Sequence, residues 1–260
     1  MDNKYQNTNQ INNIKYDLDF GVVLEKSFQN YKKIVGIAGL GLLLSSVFIA
    51  IIFGGIFGSI YGFANFTETM TGFSTNITMS TQIIIVIFGA LFAGVFSPIN
   101  AGFLQMAANA NNNTDFGLST LFSFFSSSDF KNLFISATLL SLLGGLINFG
   151  FEYAGVKYVG TIVSLIISFF TILTIPLIIF YKLDAVTAIT SSLKLVLQSP
   201  IIIFGLAFVA FIFACLGIFG ICLGVFFTIP FWYSMNFIIY NEIVPAETVS
   251  FLDEIGSKQE

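Results

Sequence analysis

The chain alternates between long apolar blocks and short polar segments. The apolar blocks lie at about residues 34–61, 82–106, 132–150, 158–180 and 200–240. An uncharged apolar run of about 18 residues or more is typical of a transmembrane helix. The last block would be roughly 60 Å long as one helix, about twice the hydrocarbon thickness. We expect it to turn at GIFG, residues 217–220, into spans 200–217 and 220–240, which gives six transmembrane helices.

A short polar-to-apolar segment precedes each pair of spans. Two of these segments begin Asp-Phe-Gly, at Asp19 and Asp115, and a degenerate third begins at Asp184. An aspartate at this position is a favourable helix N-cap. Apolar residues follow at helical spacing in all three segments: Phe20, Leu24, Phe28 and Tyr31; Phe116, Leu118, Leu121, Phe122 and Phe125; Ala185, Ile189 and Leu193. The spacing predicts three short amphipathic helices lying in the membrane interface.

The second span of each pair contains a proline, at Pro98, Pro176 and Pro230. Proline inside a helix leaves a backbone carbonyl without its N–H partner and kinks the axis. The neighbouring hydroxyls of Ser97, Thr174 and Thr228 are expected to satisfy the freed groups. The sequence therefore predicts three units at about 19–112, 113–183 and 184–243. Each unit consists of an interfacial helix, a span and a kinked span.

The lysines predict the orientation of the bundle. Nine lie in segments that share one side in a six-span arrangement: Lys4, Lys15, Lys26, Lys32, Lys33, Lys131, Lys182, Lys194 and Lys258. Only Lys157 falls on the other side, so both termini are predicted to be cytoplasmic. Residues 1–18 read as a flexible polar tail, 19–243 as the membrane domain and 244–260 as an acidic tail with one short helix. The predicted fold class is an all-α membrane helix bundle of three pseudo-repeats.

Composition supports a membrane protein and argues against catalysis. The chain is 56% hydrophobic and 9% charged, whereas soluble domains carry about 25% charged residues. It has no His, and all ten basic residues are Lys, which excludes imidazole acid–base chemistry and a kinase reading of Asp-Phe-Gly. We predict no catalytic residue, no metal site and no cofactor.

The polar residues inside the spans leave two interpretations open. Asn100 and Asn236, with the three prolines, are candidates for helix kinks or for a cavity. Amides in spans more commonly form hydrogen bonds between helices, as do Gln105 and Asn148 on this interpretation. Trp232, Tyr233 and Tyr240 are expected to anchor the last span at the interface, or alternatively to line a groove for a lipid or another ligand.

Two stretches carry a resemblance to known proteins. They are FGVVLEKSFQNYKKIVGIAGL, before the first span, and SSLKLVLQSPIIIFGLAFVAFI leading to GVFFTIPFWYSMNFIIYNE. Over about residues 19–243 the pattern resembles bacterial six-span membrane proteins of unknown function. It is also similar to the membrane domain that precedes some glycerophosphodiester phosphodiesterases, without their hydrolase domain. The resemblance implies a six-span architecture in a bacterial inner membrane and no catalytic residue.

Two functions are compatible with this sequence. The first is a non-catalytic accessory or scaffold protein that packs against membrane lipids or a partner membrane complex. The second is a carrier or channel for a lipid-like or uncharged solute, which predicts a cavity near the three prolines. The sequence predicts no enzyme activity and no nucleic-acid partner.

Overall fold

A computed structural model describes residues 11, 14–61, 79–156, 158–219 and 223–244. It is helical, with no strand within these ranges. The helices are α1 (Phe20–Tyr61), α2 (Met79–Asn111), α3 (Phe130–Tyr153), α4 (Val159–Phe170), α5 (Thr174–Ile179), α6 (Ala185–Val196), α7 (Pro200–Leu216), α8 (Gly224–Thr228) and α9 (Pro230–Ile243). Two 3₁₀ helices lie at Leu118–Ser126 and Gly217–Phe219. The predicted tails and the turn at 217–220 fall wholly or partly outside the described residues.

Five segments of the described chain are helices long and apolar enough to cross a membrane. They are Phe20–Ile52, Met79–Asn111, Phe130–Tyr153, Val159–Ile179 and Pro200–Phe219. The fourth consists of α4 and α5, and the fifth of α7 with the short 3₁₀ helix. The chain is therefore an all-helical protein compatible with a membrane helix bundle.

The first predicted interfacial helix is not a separate element. Helix α1 runs without a break from Phe20 to Tyr61. Its buried face consists of Val23, Ser27, Asn30, Ile34 and Ala38, and these residues pack against α2 and α9. The predicted interfacial face is only partly exposed, since Phe28 and Tyr31 contact Phe213 and Phe231. Apolar periodicity alone did not show which face is buried, because the buried stripe mixes the small or polar Ser27, Asn30 and Ala38 with apolar residues.

The second predicted interfacial helix is a 3₁₀ helix. Three residues per turn place Leu118, Leu121 and Phe124 on one face and Phe122 and Phe125 on another. Leu121 and Phe124 are buried, whereas Phe122 and Phe125 are exposed. The single apolar face predicted for a helix of 3.6 residues per turn is therefore wrong. Leu121 lies between α1 and α2, where a Cβ on Gly41 or Gly102 would come within 2.5 Å of it.

The three predicted helix caps differ in outcome. The Asp19 carboxylate accepts a hydrogen bond of 2.8 Å from the Val22 N–H at the start of α1. Asp184 is the N-cap of α6 and accepts from the Thr187 N–H. Asp115 is not a cap, because the 3₁₀ helix begins at Leu118 with Gly117 in the N-cap position. The prediction for Asp115 is therefore wrong by two residues.

Packing is dense at one end of the bundle, which we call the packed end. It contains the start of α1, the end of α2, the 3₁₀ helix Leu118–Ser126, α5, α6 and α9. Polar contacts join these elements: Asn30 Nδ2 donates to the Ala107 carbonyl at 2.8 Å, and Ser234 Oγ donates to Asn30 Oδ1 at 2.8 Å. Ion pairs Lys26–Glu242 at 2.8 Å and Lys182–Asp129 at 2.7 Å lie at the same end.

At the other end, which we call the open end, the helices carry large exposed apolar side chains. Ile51, Ile84, Leu165 and Phe219 are 67%, 65%, 65% and 86% exposed. A lipid environment accommodates these side chains without cost. Polar links there include the one across the α3–α4 hairpin, where Asn148 bonds to Ser164 and Thr161. Asn148 thus forms the interhelical hydrogen bonds expected of a membrane amide.

Candidate functional site: a polar cleft at a helix break

The candidate site was found from the backbone carbonyls that the three prolines leave without an N–H partner. Pro98 lies inside the continuous helix α2 and frees the carbonyl of Gly94, four residues earlier. Ser97 Oγ donates to that carbonyl at 2.9 Å. The hydroxyl predicted to satisfy the freed group does so, and α2 continues through the proline.

Pro176 lies beyond a break in its span. Helix α4 ends at Phe170 and α5 begins at Thr174. The carbonyl that Pro176 frees belongs to Ile172, and it accepts a hydrogen bond of 3.2 Å from Asn236 Nδ2 of α9. The donor is therefore an amide from another helix rather than Thr174, and the prediction for Thr174 is wrong. Asn236 joins α9 to the break.

Pro230 also follows a break, between α8 and α9, and is the first residue of α9. The carbonyl it frees is that of Phe226. Thr228 Oγ1 instead lies 3.1 Å from the Ala214 carbonyl of α7 and 3.2 Å from that of Gly224. The predicted local role of Thr228 is therefore wrong, and its hydroxyl links α8 to α7.

A cleft of about 310 Å³ lies beside the Pro176 break. Helices α2, α3, α4, α5 and α9 all contribute to its wall. Its lining residues are Asn100, Leu104, Ser136, Ala137, Leu140, Ser168, Thr171, Ile172, Thr174, Ile175, Trp232, Tyr233 and Asn236. Both asparagines predicted as cavity candidates are in this set. Pro98 and Pro230 lie two residues from Asn100 and Trp232, so all three proline regions meet at the cleft.

Burial distinguishes the floor of the cleft from its mouth. The floor residues Ser136, Thr174 and Asn236 are 1%, 2% and 8% exposed. Asn100 and Ser168, on the side of the open end, are exposed and form the mouth. One turn below the floor, Leu133, Leu177 and Ile239 are fully buried. The cleft is therefore closed toward the packed end.

Two buried oxygen atoms on the floor have no hydrogen-bond partner. They are Asn236 Oδ1 and Thr174 Oγ1, which no donor or acceptor of the described chain reaches. Buried polar groups in proteins are paired in the large majority of cases, and each exception calls for an explanation.

The cleft is polar without being charged. The described residues that line it include no Asp, Glu or Lys. Tyr233 Oη donates to Asn100 Oδ1 at 2.7 Å and so holds α9 against α2 at the mouth. Among the described residues, no group of three or more His, Cys, Asp or Glu side chains is placed to hold a metal ion. The arrangement is suited to hydrogen bonding with a neutral molecule.

A second cavity has a different character. It measures about 600 Å³, lies between α1, α2 and the 3₁₀ helix, and is lined largely by apolar side chains such as Leu44, Phe96 and Phe122. Its Ser45 hydroxyl is the exception on an otherwise hydrocarbon surface. Apart from the Ser45 hydroxyl, the described lining of this groove lacks amide and hydroxyl groups like those that line the cleft.

Several lining residues were not identified from the sequence. Ser136, Ser168 and Thr171 lie within apolar spans, where a hydroxyl is common, and nothing in their spacing connects them. Gln105, a sequence candidate, bonds within α2 to Asn109 instead. Trp232 and Tyr233 fit the alternative interpretation of an aromatic-lined groove, since both line the cleft.

Comparison with known proteins gives no match. No family model fits the chain, and no curated protein and no solved structure is significantly similar to it. The resemblance derived from the sequence stays a prediction.

Proposed function

We propose that the protein is a non-catalytic integral membrane protein that binds a small uncharged or lipid-like molecule in the polar cleft and carries it through the membrane. The observation that supports this function is the cleft itself, a space of about 310 Å³ lined by hydroxyl, amide and apolar side chains from five helices. Ligand sites in helix bundles lie between helices and combine apolar walls with a few polar groups. The cleft has this composition.

The neutrality of the cleft supports an uncharged ligand. A charge inside the membrane costs about 2.5–3.5 kcal/mol on insertion scales unless it is paired. The described lining offers no counter-charge. A neutral molecule avoids this cost.

The asymmetry of the cleft supports a carrier rather than a continuous channel. The mouth opens at Asn100 and Ser168, and the layer of Leu133, Leu177 and Ile239 closes the other side. Discontinuous helices beside a binding site are a feature of membrane carriers. The α4–α5 break is the corresponding element here.

We further propose the finer architecture expected from the sequence. In this proposal α8 and α9 together form a sixth crossing, in three units, and both termini lie in the cytoplasm of a bacterium with the chain in its inner membrane. The packed end carries Lys26, Lys33, Lys182 and Lys194, which supports its placement on the cytoplasmic side.

A binding assay tests the function. Trp232, the single tryptophan of the chain, lines the cleft and reports on its occupancy by fluorescence. The protein in lipid nanodiscs is titrated with 1-decanol, decyl methyl ether, urea and 1,4-butanediol. We expect a saturable response to at least one probe, lost in Asn236→Leu and retained in Asn148→Leu, whose amide lies outside the cleft. No saturable response to any probe would overturn the proposal.

Transport is measured separately in vesicles with the permeant probes. Asn100→Leu and Asn236→Leu are expected to slow uptake several-fold relative to the unmodified protein. The scaffold function gives a different result: a stoichiometric protein partner recovered in mild detergent, with no response of Trp232 to the probes. That combination would replace the carrier proposal.

A further inference from the structure

The indole of Trp232 brings a free hydrogen-bond donor to the lining of the cleft. Its Nε1–H can only donate, and no group of the described chain accepts from it. Trp232 is half-buried, and its Nε1 is not among the enclosed polar atoms of the described chain that lack a partner. The indole N–H therefore keeps accessible surface.

The amide of Asn100 is a second free donor, and Tyr233 holds it in place. Tyr233 Oη donates to Asn100 Oδ1 at 2.7 Å. The Tyr233 ring in turn stacks on the buried Phe103, with the ring centroids 4.7 Å apart. With Oδ1 engaged, the Nδ2 group has no acceptor within the described chain, and it can only donate. Asn100 is exposed at the mouth, so its Nδ2 is available to a ligand.

The hydroxyls beside these donors have less to offer. Thr171 Oγ1 and Ser136 Oγ donate their hydrogens to backbone carbonyls at 2.8 and 3.0 Å, so lone pairs alone remain on them. The Ser168 hydroxyl, exposed at the mouth, can donate or accept. The unpartnered oxygens of Thr174 and Asn236 are enclosed, so a ligand does not reach them. The reachable groups that can only donate are therefore the two N–H groups.

A carbonyl oxygen matches these donors. It has two lone pairs and no hydrogen of its own, so it accepts from an N–H and leaves no donor unpaired. A hydrocarbon in the cleft would cover the N–H groups without bonding to them, which is costly. An alcohol can accept as well, but its own hydrogen must then find another lone pair. A carboxylate or phosphate brings a charge for which the described lining holds no counter-charge.

We propose that the cleft takes a neutral ester or ketone, whose carbonyl oxygen accepts a hydrogen bond from the indole N–H of Trp232. Asn100 Nδ2 is the second donor, at the mouth. The proposal rests on the proposed function and specifies its ligand. Leu104, Leu140 and Ile175 belong to the walls and suit the hydrocarbon part of the molecule. The ester carbonyl of a membrane lipid and the carbonyl of a free ketone share this chemistry.

The indole resonance tests the hydrogen bond directly. Trp232 is the single tryptophan of the chain, so the NMR spectrum contains one indole N–H signal, and its proton moves downfield on donation to a carbonyl. The protein is placed in nanodiscs of diether phosphatidylcholine, which has no ester carbonyl. It is titrated with methyl decanoate against undecane, a lipid-like pair, and with cyclohexanone against cyclohexane, a pair of free solutes.

We expect a saturable downfield shift with at least one carbonyl compound and none with its matched hydrocarbon. No downfield shift with either carbonyl compound, or an equal shift with the hydrocarbon, would overturn the carbonyl proposal. If Trp232 fluorescence still responds saturably to an alcohol or ether, the proposed function stands without it. Loss of both responses would overturn both proposals.

The lipid of the nanodisc distinguishes the two sources of the carbonyl. Without any added probe, the indole resonance is compared in diester and diether phosphatidylcholine of the same chain length. A downfield position in the diester lipid alone would identify a lipid ester as the ligand. The same position in both lipids, together with a shift on adding cyclohexanone, would identify a free solute.

Three variants test the second donor. Asn100→Leu removes the Nδ2 donor, Tyr233→Phe breaks the same hydrogen bond but keeps that donor, and Asn148→Leu removes an amide outside the cleft. We expect the Kd for the better-binding carbonyl compound to rise about five- to tenfold in Asn100→Leu. It should stay within about twofold in the other two variants. An equal rise in Asn100→Leu and Tyr233→Phe would show that Asn100 acts by holding α2 against α9, and would overturn its role as a donor.

Discussion

The packed end and the open end of the bundle differ in how closely their side chains pack. At the packed end, side chains as large as Phe103 and Phe231 are fully buried. At the open end, Phe88, on the same helix as Phe103, is 58% exposed. Small and polar residues make several of the close contacts at the packed end. Gly41, Gly102, Ser27, Asn30 and Ser234 all lie at the packed end, and each permits or forms a close contact between helices.

The length of α1 gives a physical reason for the difference. Its 42 residues span about 63 Å at 1.5 Å per residue, twice the hydrocarbon thickness. A helix of this length extends beyond the hydrocarbon, and its first turns carry Lys26, Lys32 and Lys33. Outside the hydrocarbon, water drives apolar side chains together. In the hydrocarbon this driving force is absent, and helices associate through small residues and hydrogen bonds. The same kind of residue is buried at one end and faces lipid at the other.

The largest expected effect is at Leu121, which is buried between α1 and α2 at the packed end. Leu121→Ala should lower the free energy of unfolding by roughly 2–4 kcal/mol, through lost contacts and the cavity left behind. Phe122→Ala, in the same 3₁₀ helix but exposed, should change it by much less. Unfolding of both variants in mixed micelles measures the difference. Equal losses would show that the 3₁₀ helix does not insert as described.

A smaller effect is expected from two glycines of α2. A Cβ on Gly102 would lie 2.5 Å from the Leu121 Cα, so Gly102→Ala should cost about 1–3 kcal/mol. Gly89 at the open end has nothing within 4 Å, and Gly89→Ala should stabilise the helix by up to about 1 kcal/mol. Thermal unfolding should therefore shift in opposite directions. A loss of stability in both variants would mean that the open end is as closely packed as the other.

The smallest effect is expected at the Pro98 kink. Ser97→Ala should cost about 1 kcal/mol or less, because the Gly94 carbonyl loses its donor. In a Pro98→Ala background the restored N–H of residue 98 donates to the Gly94 carbonyl. Ser97→Ala should then cause no further loss of unfolding free energy. Unfolding free energies of the two single variants and the double variant give the coupling. Strictly additive costs would contradict the pairing of Ser97 with the proline.

The sequence predicted the helices better than their contacts. Long apolar runs locate the five long helices, because a helix that crosses the hydrocarbon needs only sufficient length and an apolar composition. The prediction of a separate helix before residue 34 is wrong, because a change from an amphipathic to a fully apolar pattern does not interrupt the hydrogen bonding of a helix. At Pro98 the proline chemistry is local, and the role of Ser97 was predictable from adjacent residues.

The cleft was only partly accessible to sequence reasoning. Asn100, Asn236 and the prolines were candidates because amides and prolines are unusual in spans. Ser136 and Thr174 were not assigned to a cavity, because their meeting depends on how α3 and α5 pack. The partner of the Ile172 carbonyl lies 64 residues away in α9, and no local pattern connects the two.

Side-specific labelling of a cysteine at the mouth tests the central claim, that the cleft opens at the open end and is closed toward the packed end. Cys215 and Cys222 are replaced by serine, and Ser168→Cys and Leu177→Cys are made separately in oriented vesicles. A membrane-impermeant thiol reagent is predicted to reach the Ser168→Cys variant only from the side opposite Lys26 and Lys194, and the Leu177→Cys variant from neither side. Labelling of the Ser168→Cys variant from the lysine side would contradict the account.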